Sequence, residues 1–362
     1  MKRFRIVSAM IVALLIIFIL AVQSGMLFGA KSLDNQTTEQ IKYTATFLDI
    51  FDTRTEIVGY AYTEDEFSKQ AQIIKDRLIF YNNLYDIYND YDGINNIKTI
   101  NDNAGISPVV VDQEIIDLIK FSKDMYDTTD GRVNIAMGSV LSIWHEYREY
   151  GTNNPDRASL PPMEELEEAA KHTSIDDVII DEESSTVYLA DPDMSLDVGS
   201  TGKGYAVQQV MEYCRAQGMD HILLSLGGNI SGLGTRIDGT NFRIAIQNPD
   251  MDSEEQYVAK VDIDDGQCVV SSGDYQRYYE VDGKIYCHII NPDTLYPADT
   301  YASVSVLTDD SGTADALSTA LYNMTIEEGM DFVNSRNDVE AMWVYHDGTI
   351  VYSDHFEESI AK

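Results

Sequence analysis

Four groups of side chains in this sequence have the types and spacing to do chemistry. Asp197, Gly199, Gly202, Lys203 and Gly204 stand in Ser195-Leu-Asp-Val-Gly-Ser-Thr-Gly-Lys-Gly-Tyr-Ala206, which reads as a strand entering a glycine-rich turn and then a helix. Glycines let backbone approach a ligand, a helix start favours anions, and Lys203 adds positive charge. It is not a P-loop: Asp197 occupies the position of that motif's first glycine, and Gly204 replaces the Ser or Thr after the lysine. A tight turn with a surface lysine is the alternative. Asp315 and Thr319 are spaced i and i+4, with Ser318 at i+3, so one helix face would carry a carboxylate and two hydroxyls. Such hard oxygens suit Mg2+, which takes one or two carboxylates and leaves positions for phosphate oxygens and water. Helix capping by Thr313 or Asp315 is the competing explanation. His288, one of 6 histidines, ends a strand before Asn291-Pro292 and could take a proton from a hydroxyl, or serve packing alone. Thr129 to Ile135, leading to Trp144 and His145, could line a ligand or only turn the chain.

These groups need elements to hold them. Thr63 with Glu66 forms a capping box, and Phe67, Ala71, Ile74, Leu78, Tyr81, Tyr85 and Tyr88 follow at helical spacing. Before it, Tyr43 to Ile50 reads as a strand turning at Phe51-Asp52-Thr53. Further helices are predicted over 112–126, 161–171, 203–217 and 313–323, the third stopped by Gly218. Strands dominate after His221, with hairpins on Asp282-Gly283 and Asp347-Gly348. Helices and strands mix without regular βαβ alternation, so the fold class is α+β and not a doubly wound sheet.

The chain has 362 residues, with 25 basic against 61 acidic side chains, a net charge of −36. No Lys/Arg run follows the first few residues, which argues against a nucleic-acid partner. A hydrophobic fraction of 44 % supports a real core, and Cys214, Cys268 and Cys287 lack the spacing of a metal cage or disulfide framework. At the start, Met1-Lys-Arg-Phe-Arg5 precedes the uncharged stretch Ile6 to Val22, which continues weakly to Ala30. This pattern predicts an export signal over residues 1–30, either an uncleaved membrane anchor, favoured by its length, or a cleaved peptide. A polar linker follows over 31–42, and the functional body over 43–358 would lie outside the membrane.

In this order, the segments resemble the ApbE-type FAD:protein FMN transferases from about Phe51 to Met342. The family's Asp-hydrophobic-Gly-Gly-x-Ala-Lys-Gly-Tyr-Ala element is similar to Asp197 to Ala206, its Ser-Gly-x-Tyr-x-Arg to Ser272 to Arg277, its His-Ile-Ile-Asp-Pro to His288 to Pro292, and its Ala-Asp-Ala-Leu-Ala-Thr-Ala to Ala314 to Ala320. Leu226 to Asn229 resembles its Leu-Gly-Gly-Asn strand end. The resemblance implies a single T-fold-like domain and movement of FMN from FAD to a Thr or Ser hydroxyl of an exported acceptor flavoprotein, releasing AMP. It further implies metal ligands at Asp315, Ser318, Thr319 and the Ser200 carbonyl, with Mg2+ as cofactor. Flavin and phosphate contacts would come from Phe51, Tyr88, Arg132, Val133, Asn134, Asp197 and Lys203, and His288 would be catalytic. Three places depart from the family. Phe51-Asp52-Thr53 replaces Met-Gly-Thr, Tyr91 competes with Tyr88 as the stacking ring, and Asn134 and Asn291 replace Asp, removing two charges expected near the site. Two other functions stay open: an extracytoplasmic FAD-binding protein without transferase activity, and a module binding Ca2+ or a partner through acidic loops such as Asp262 to Asp265.

Overall fold

A computed structural model describes residues 39–362, of which Gln40–Lys362 form one compact unit. The predicted signal segment, residues 1–30, and most of the linker lie outside the described residues. No helix among the described residues is long and apolar enough to cross a membrane.

The frame is an eight-stranded sheet whose spatial order is its chain order: β1 (Ile41–Ile50), β2 (Thr53–Ala61), β3 (Ile222–Leu226), β4 (Asn229–Leu233), β5 (Cys268–Gly273), β6 (Ser303–Thr308), β7 (Val339–Val344) and β8 (Ile350–Tyr352). Each pairs antiparallel with the next, which agrees with the α+β expectation. Among the described residues eight α-helices accompany it: α1 (Glu64–Tyr85), α2 (Ile97–Asp102), α3 (Gln113–Thr128), α4 (Gly138–Asn153), α5 (Met163–Ala169), α6 (Gly202–Ala216), α7 (Ser311–Tyr322) and α8 (Ile326–Asn334).

Opposed residues on neighbouring antiparallel strands share a face. Thus Ile57, Leu224, Cys268 and Val306 point to one side, where α1, α3, α6 and α7 bury Leu78, Ile119, Val210 and Leu317. Leu307 and Val269, one residue along, point to the other side, which a hairpin of Phe242–Gln247 and Tyr257–Ile263 covers together with Phe356. β6 is buried along its whole length because both of its faces are covered.

Two local details aim the site. The β1–β2 hairpin turns on Phe51 and Asp52, both at positive φ (52° and 50°), a turn that normally favours Asn-Gly. Asn82 of α1 holds it in place, its side-chain oxygen accepting the Phe51 N–H at 2.7 Å. Half of the predicted capping box is present: Glu66 N–H donates to Thr63 Oγ1 at 3.2 Å, but the Glu66 carboxylate accepts the Tyr62 N–H at 3.0 Å in place of that of Thr63. The helical stripe, however, stops at Tyr85, where Asp86 turns extended. Tyr88 is therefore on a loop and not on the helix; Asp86 fixes that loop by accepting the N–H groups of Tyr88 and Asn89. Another correction concerns α7. Its cap is Asp310, which accepts the Thr313 N–H at 2.6 Å, so neither Thr313 nor Asp315 is spent on capping.

Candidate functional site

The β1–β2 and β3–β4 turns and the end of β5 meet at one end of the sheet. There a cleft of about 640 Å3 runs into a smaller polar compartment of about 260 Å3. Phe51, Tyr88, Arg132, Val133, Asn134, Asp197, Ser200 and Lys203 all line the larger cleft, and Asp315 lines the smaller one. His288, Lys203, Arg277 and Thr319 stand on the wall shared by both. Segments far apart in sequence thus converge on one space.

His288 follows the strand Lys284–Cys287, and its main-chain N–H donates to the Arg277 carbonyl at 3.1 Å, which fixes where the ring starts. Its Nδ1 is buried without a hydrogen-bond partner. Burial, and then the positive charges of Arg277, Arg148 and Lys203, push the imidazole down to about 3, so at neutral pH it is an uncharged ring with a free acceptor nitrogen. An uncharged imidazole can accept a proton, and an anion bound beside Arg277, Arg148 and Lys203 would make it a stronger base by offsetting their charges.

Asp315 is 4 % exposed, and its Oδ2 accepts the Gly204 N–H at 2.8 Å while Lys203 Nζ stands 3.7 Å from Oδ1. Burial raises this carboxyl; the lysine and the Gly204 N–H oppose that rise. α6 can approach so closely only because residue 204 is glycine, since a Cβ there would lie 2.2 Å from the Ser311 carbonyl and 2.4 Å from Asp315 Cβ. The donor set fits a hard divalent cation: a buried carboxylate, the Thr319 hydroxyl, and beside them the Asn229 side-chain oxygen, buried and without a partner. Ser318 is placed differently from the expectation. It is fully buried, lines neither compartment, and its hydroxyl lies 2.8 Å from Ser272 Oγ and 3.0 Å from the Asp315 carbonyl.

The flavin-side residues divide in the same way. The Tyr88 ring lies 5.3 Å from that of His145, whereas the Tyr91 hydroxyl is bound to Asp86 at 2.7 Å, which leaves Tyr88 the freer ring. Asp197, raised by burial, accepts the Gly199 N–H at 2.8 Å and so shapes the glycine turn. Lys203 donates to the Gly199 carbonyl at 3.1 Å. Arg132 lines the cleft with its guanidinium already paired with Asp293 and 3.7 Å from Glu328. Val133 is buried at the cleft, and its N–H donates to Thr129 Oγ1 at 3.2 Å.

Both Asn-for-Asp departures have a structural explanation. Asn134 accepts the Ala136 N–H through its oxygen and donates through its nitrogen to the Thr173 carbonyl, both at 2.9 Å. Asn291 accepts from Asp293 N–H at 2.9 Å and donates to the Asn323 carbonyl at 3.2 Å. An aspartate could do only the first half of each task.

Sequence reasoning passed over Arg148 and the part played by His145. Both lie on α4, whose continuation past Trp144 was legible in the spacing of Leu141, Trp144 and Tyr147, but nothing in the sequence shows where that helix docks. The acidic loop offered for Ca2+ is otherwise engaged: Asp262 binds Arg243, Asp265 binds Arg215, and Asp264 accepts from Asn241. The three cysteines are free and buried, as expected.

The ApbE family pattern matches residues 51–343 of the chain. A FAD:protein FMN transferase of Klebsiella pneumoniae is 33 % identical over 258 residues, covering 71 % of this chain and 77 % of the relative. Its counterpart from Vibrio cholerae is 30 % identical over 264 residues, covering 73 % and 76 % respectively. Among solved structures, the ApbE protein of Thermotoga maritima superposes with a TM-score of 0.77 at 26 % identity, covering 89 % of this chain and 100 % of that one. The flavin transferase ApbE of Vibrio cholerae gives 0.72 at 23 % identity, covering 88 % and 99 %, which speaks to the fold alone.

Proposed function

This chain belongs to the ApbE family, and from that premise we propose that it transfers FMN from FAD to a Thr or Ser hydroxyl of an exported acceptor flavoprotein, releasing AMP in a Mg2+-dependent reaction. The observation that carries the reading is His288: uncharged, with an unpartnered ring nitrogen, on the wall between a dinucleotide-sized cleft and a polar compartment. A Mg2+ ion bound by Asp315, Thr319 and the Ser200 carbonyl, with Ser318 beside them, would neutralise charge on the diphosphate.

The chain's own groups do the rest. Tyr88 and the Phe51 turn would bound the slot for the flavin ring, and Lys203 with Gly199, Ser200 and Gly202 would face the phosphates. His288 accepts the proton of the acceptor hydroxyl as that oxygen forms a bond to the FMN phosphorus. The diphosphate P–O bond then breaks, and AMP leaves with its electrons. Residues 1–30 would hold the protein at the membrane with the catalytic body outside.

Incubating the full chain with FAD, Mg2+ and a purified exported flavoprotein domain should give a fluorescent acceptor band that survives denaturation. A preparation that binds FAD but yields no such band, with FAD left intact, supports a FAD-binding protein in place of a transferase.

A further inference from the structure

The cleft contains two positive groups to which the proposed reaction gives no role: Arg148, outside every sequence motif, and Arg277, which ends the Ser272 to Arg277 element. Arg148 on α4 and Arg277 before the Tyr278–Val281 strand both line the larger cleft, and their charges repel one another and the ring of His288. In a chain of 61 acidic and 25 basic side chains, arginines usually find carboxylates, as Arg132, Arg215 and Arg243 do here. Among the described residues, neither Arg148 nor Arg277 forms an ion pair. Glu149 and Asp197 are the carboxylates whose charge Arg148 feels, and neither is within ion-pair distance.

Two guanidiniums lining one cleft without a counter-charge are costly unless an anion joins them, and a diphosphate offers two charged groups that match planar, bidentate donors. We propose that Arg148 and Arg277 form an anion clamp for the diphosphate of the dinucleotide substrate, and that His145 is the positioning residue that sets the Arg148 side chain. This rests on the transferase reading of the cleft.

The geometry of His145 supports its part. Its Nδ1 lies 2.9 Å from Arg148 Nη2, and since arginine can only donate, Nδ1 is the acceptor and Nε2 carries the proton. Nε2 faces Glu149 at 3.4 Å. The same ring lies 5.3 Å from Tyr88. One histidine therefore joins the ring proposed to meet the flavin to the cation proposed to meet the phosphates.

The test is equilibrium binding of FAD and of riboflavin, which has no phosphate, to the full-length chain in EDTA, followed by flavin fluorescence. Arg148→Met keeps the apolar stem packed, and Arg148→Lys keeps the charge without the fork. Arg148→Met should weaken FAD binding about ten- to hundredfold and leave riboflavin within about twofold, the loss expected when a charge-assisted hydrogen bond is removed. It should also flatten the salt dependence of FAD affinity, and Arg148→Lys should recover part of both. His145→Phe should weaken FAD by a few-fold, again sparing riboflavin. Equal losses for both ligands, or FAD affinity unchanged in a folded Arg148 variant, overturn the clamp while leaving the transferase reading in place. A wild-type chain that binds FAD with this discrimination but transfers nothing keeps the clamp and overturns that reading. A wild-type chain that binds neither ligand overturns both.

Discussion

His288 and Asp315 are the two residues on which transfer chemistry depends most directly, and each makes a separable prediction. Replacing His288 by Ala should lower turnover by about 10²- to 10⁴-fold, the range for loss of a general base, with FAD affinity retained in a binding titration. The same residue should be visible in stability. Its folded pKa, pushed down to about 3, lies below that of an unfolded histidine, so between those two values the unfolded chain binds a proton that the folded one does not. Stability contributed by the neutral ring is thus complete above about pH 6.5 and is lost as pH falls toward 3. Thermal melts should show wild type losing stability as the pH falls from about 6.5 toward 3, and His288→Asn, which gains no proton there, should not show that loss. For Asp315, Mg2+ that binds only the folded chain must raise its melting temperature by mass action. Asp315→Asn should remove that rise, and a chelator should abolish transfer by the wild type while leaving its secondary-structure spectrum unchanged.

Helices and turns position these residues, so the next predictions concern elements. The N-terminal turn of α6 meets α7 at Gly204, where a methyl group has no room against Ser311 and Asp315. Gly204→Ala should destabilise by about 1–3 kcal/mol in denaturant melts and weaken Mg2+ binding, because only a shift of α6 or α7 relieves the overlap. In the turn after His288, Asn291→Asp restores the family residue but loses the donor to the Asn323 carbonyl. It should cost about 1 kcal/mol of stability while changing turnover little. The same scale shows what periodicity could and could not reveal. The α1 stripe was legible through Tyr85 because apolar spacing reports burial. The end of that helix was not, because Asp86 closes it with backbone bonds that leave no repeat. α8, with its Thr325 and Glu328 capping box, went unread although its signal was present.

For the whole molecule, the acidic excess lies on solvated surfaces and in pairs such as Arg243 with Asp262, while the cleft wall beside His288 holds three cations. A chain beginning at Gln40, the start of the compact unit, should melt in one transition at the temperature of the full chain and still bind FAD; loss of a cooperative melt would show that residues before Gln40 are needed for folding. Sequence alone determined the α+β class, the strands of the second half except Asn229–Leu233, and the ordered motifs, because local spacing, capping residues and turn chemistry are properties of neighbours along a chain. It also singled out His288, Asp315, Lys203 and Asp197, whose motifs are contiguous. Only the tertiary structure decided that Arg132 is already paired, that Ser318 is turned to Ser272, that Asn134 and Asn291 serve as braces, and that Arg148 reaches the site. Those outcomes depend on which partners arrive from distant segments: Asp293 for Arg132, Ser272 for Ser318, Thr173 for Asn134 and Asn323 for Asn291. Packing of the sheet and its helices brings such partners together, and no local pattern encodes their arrival.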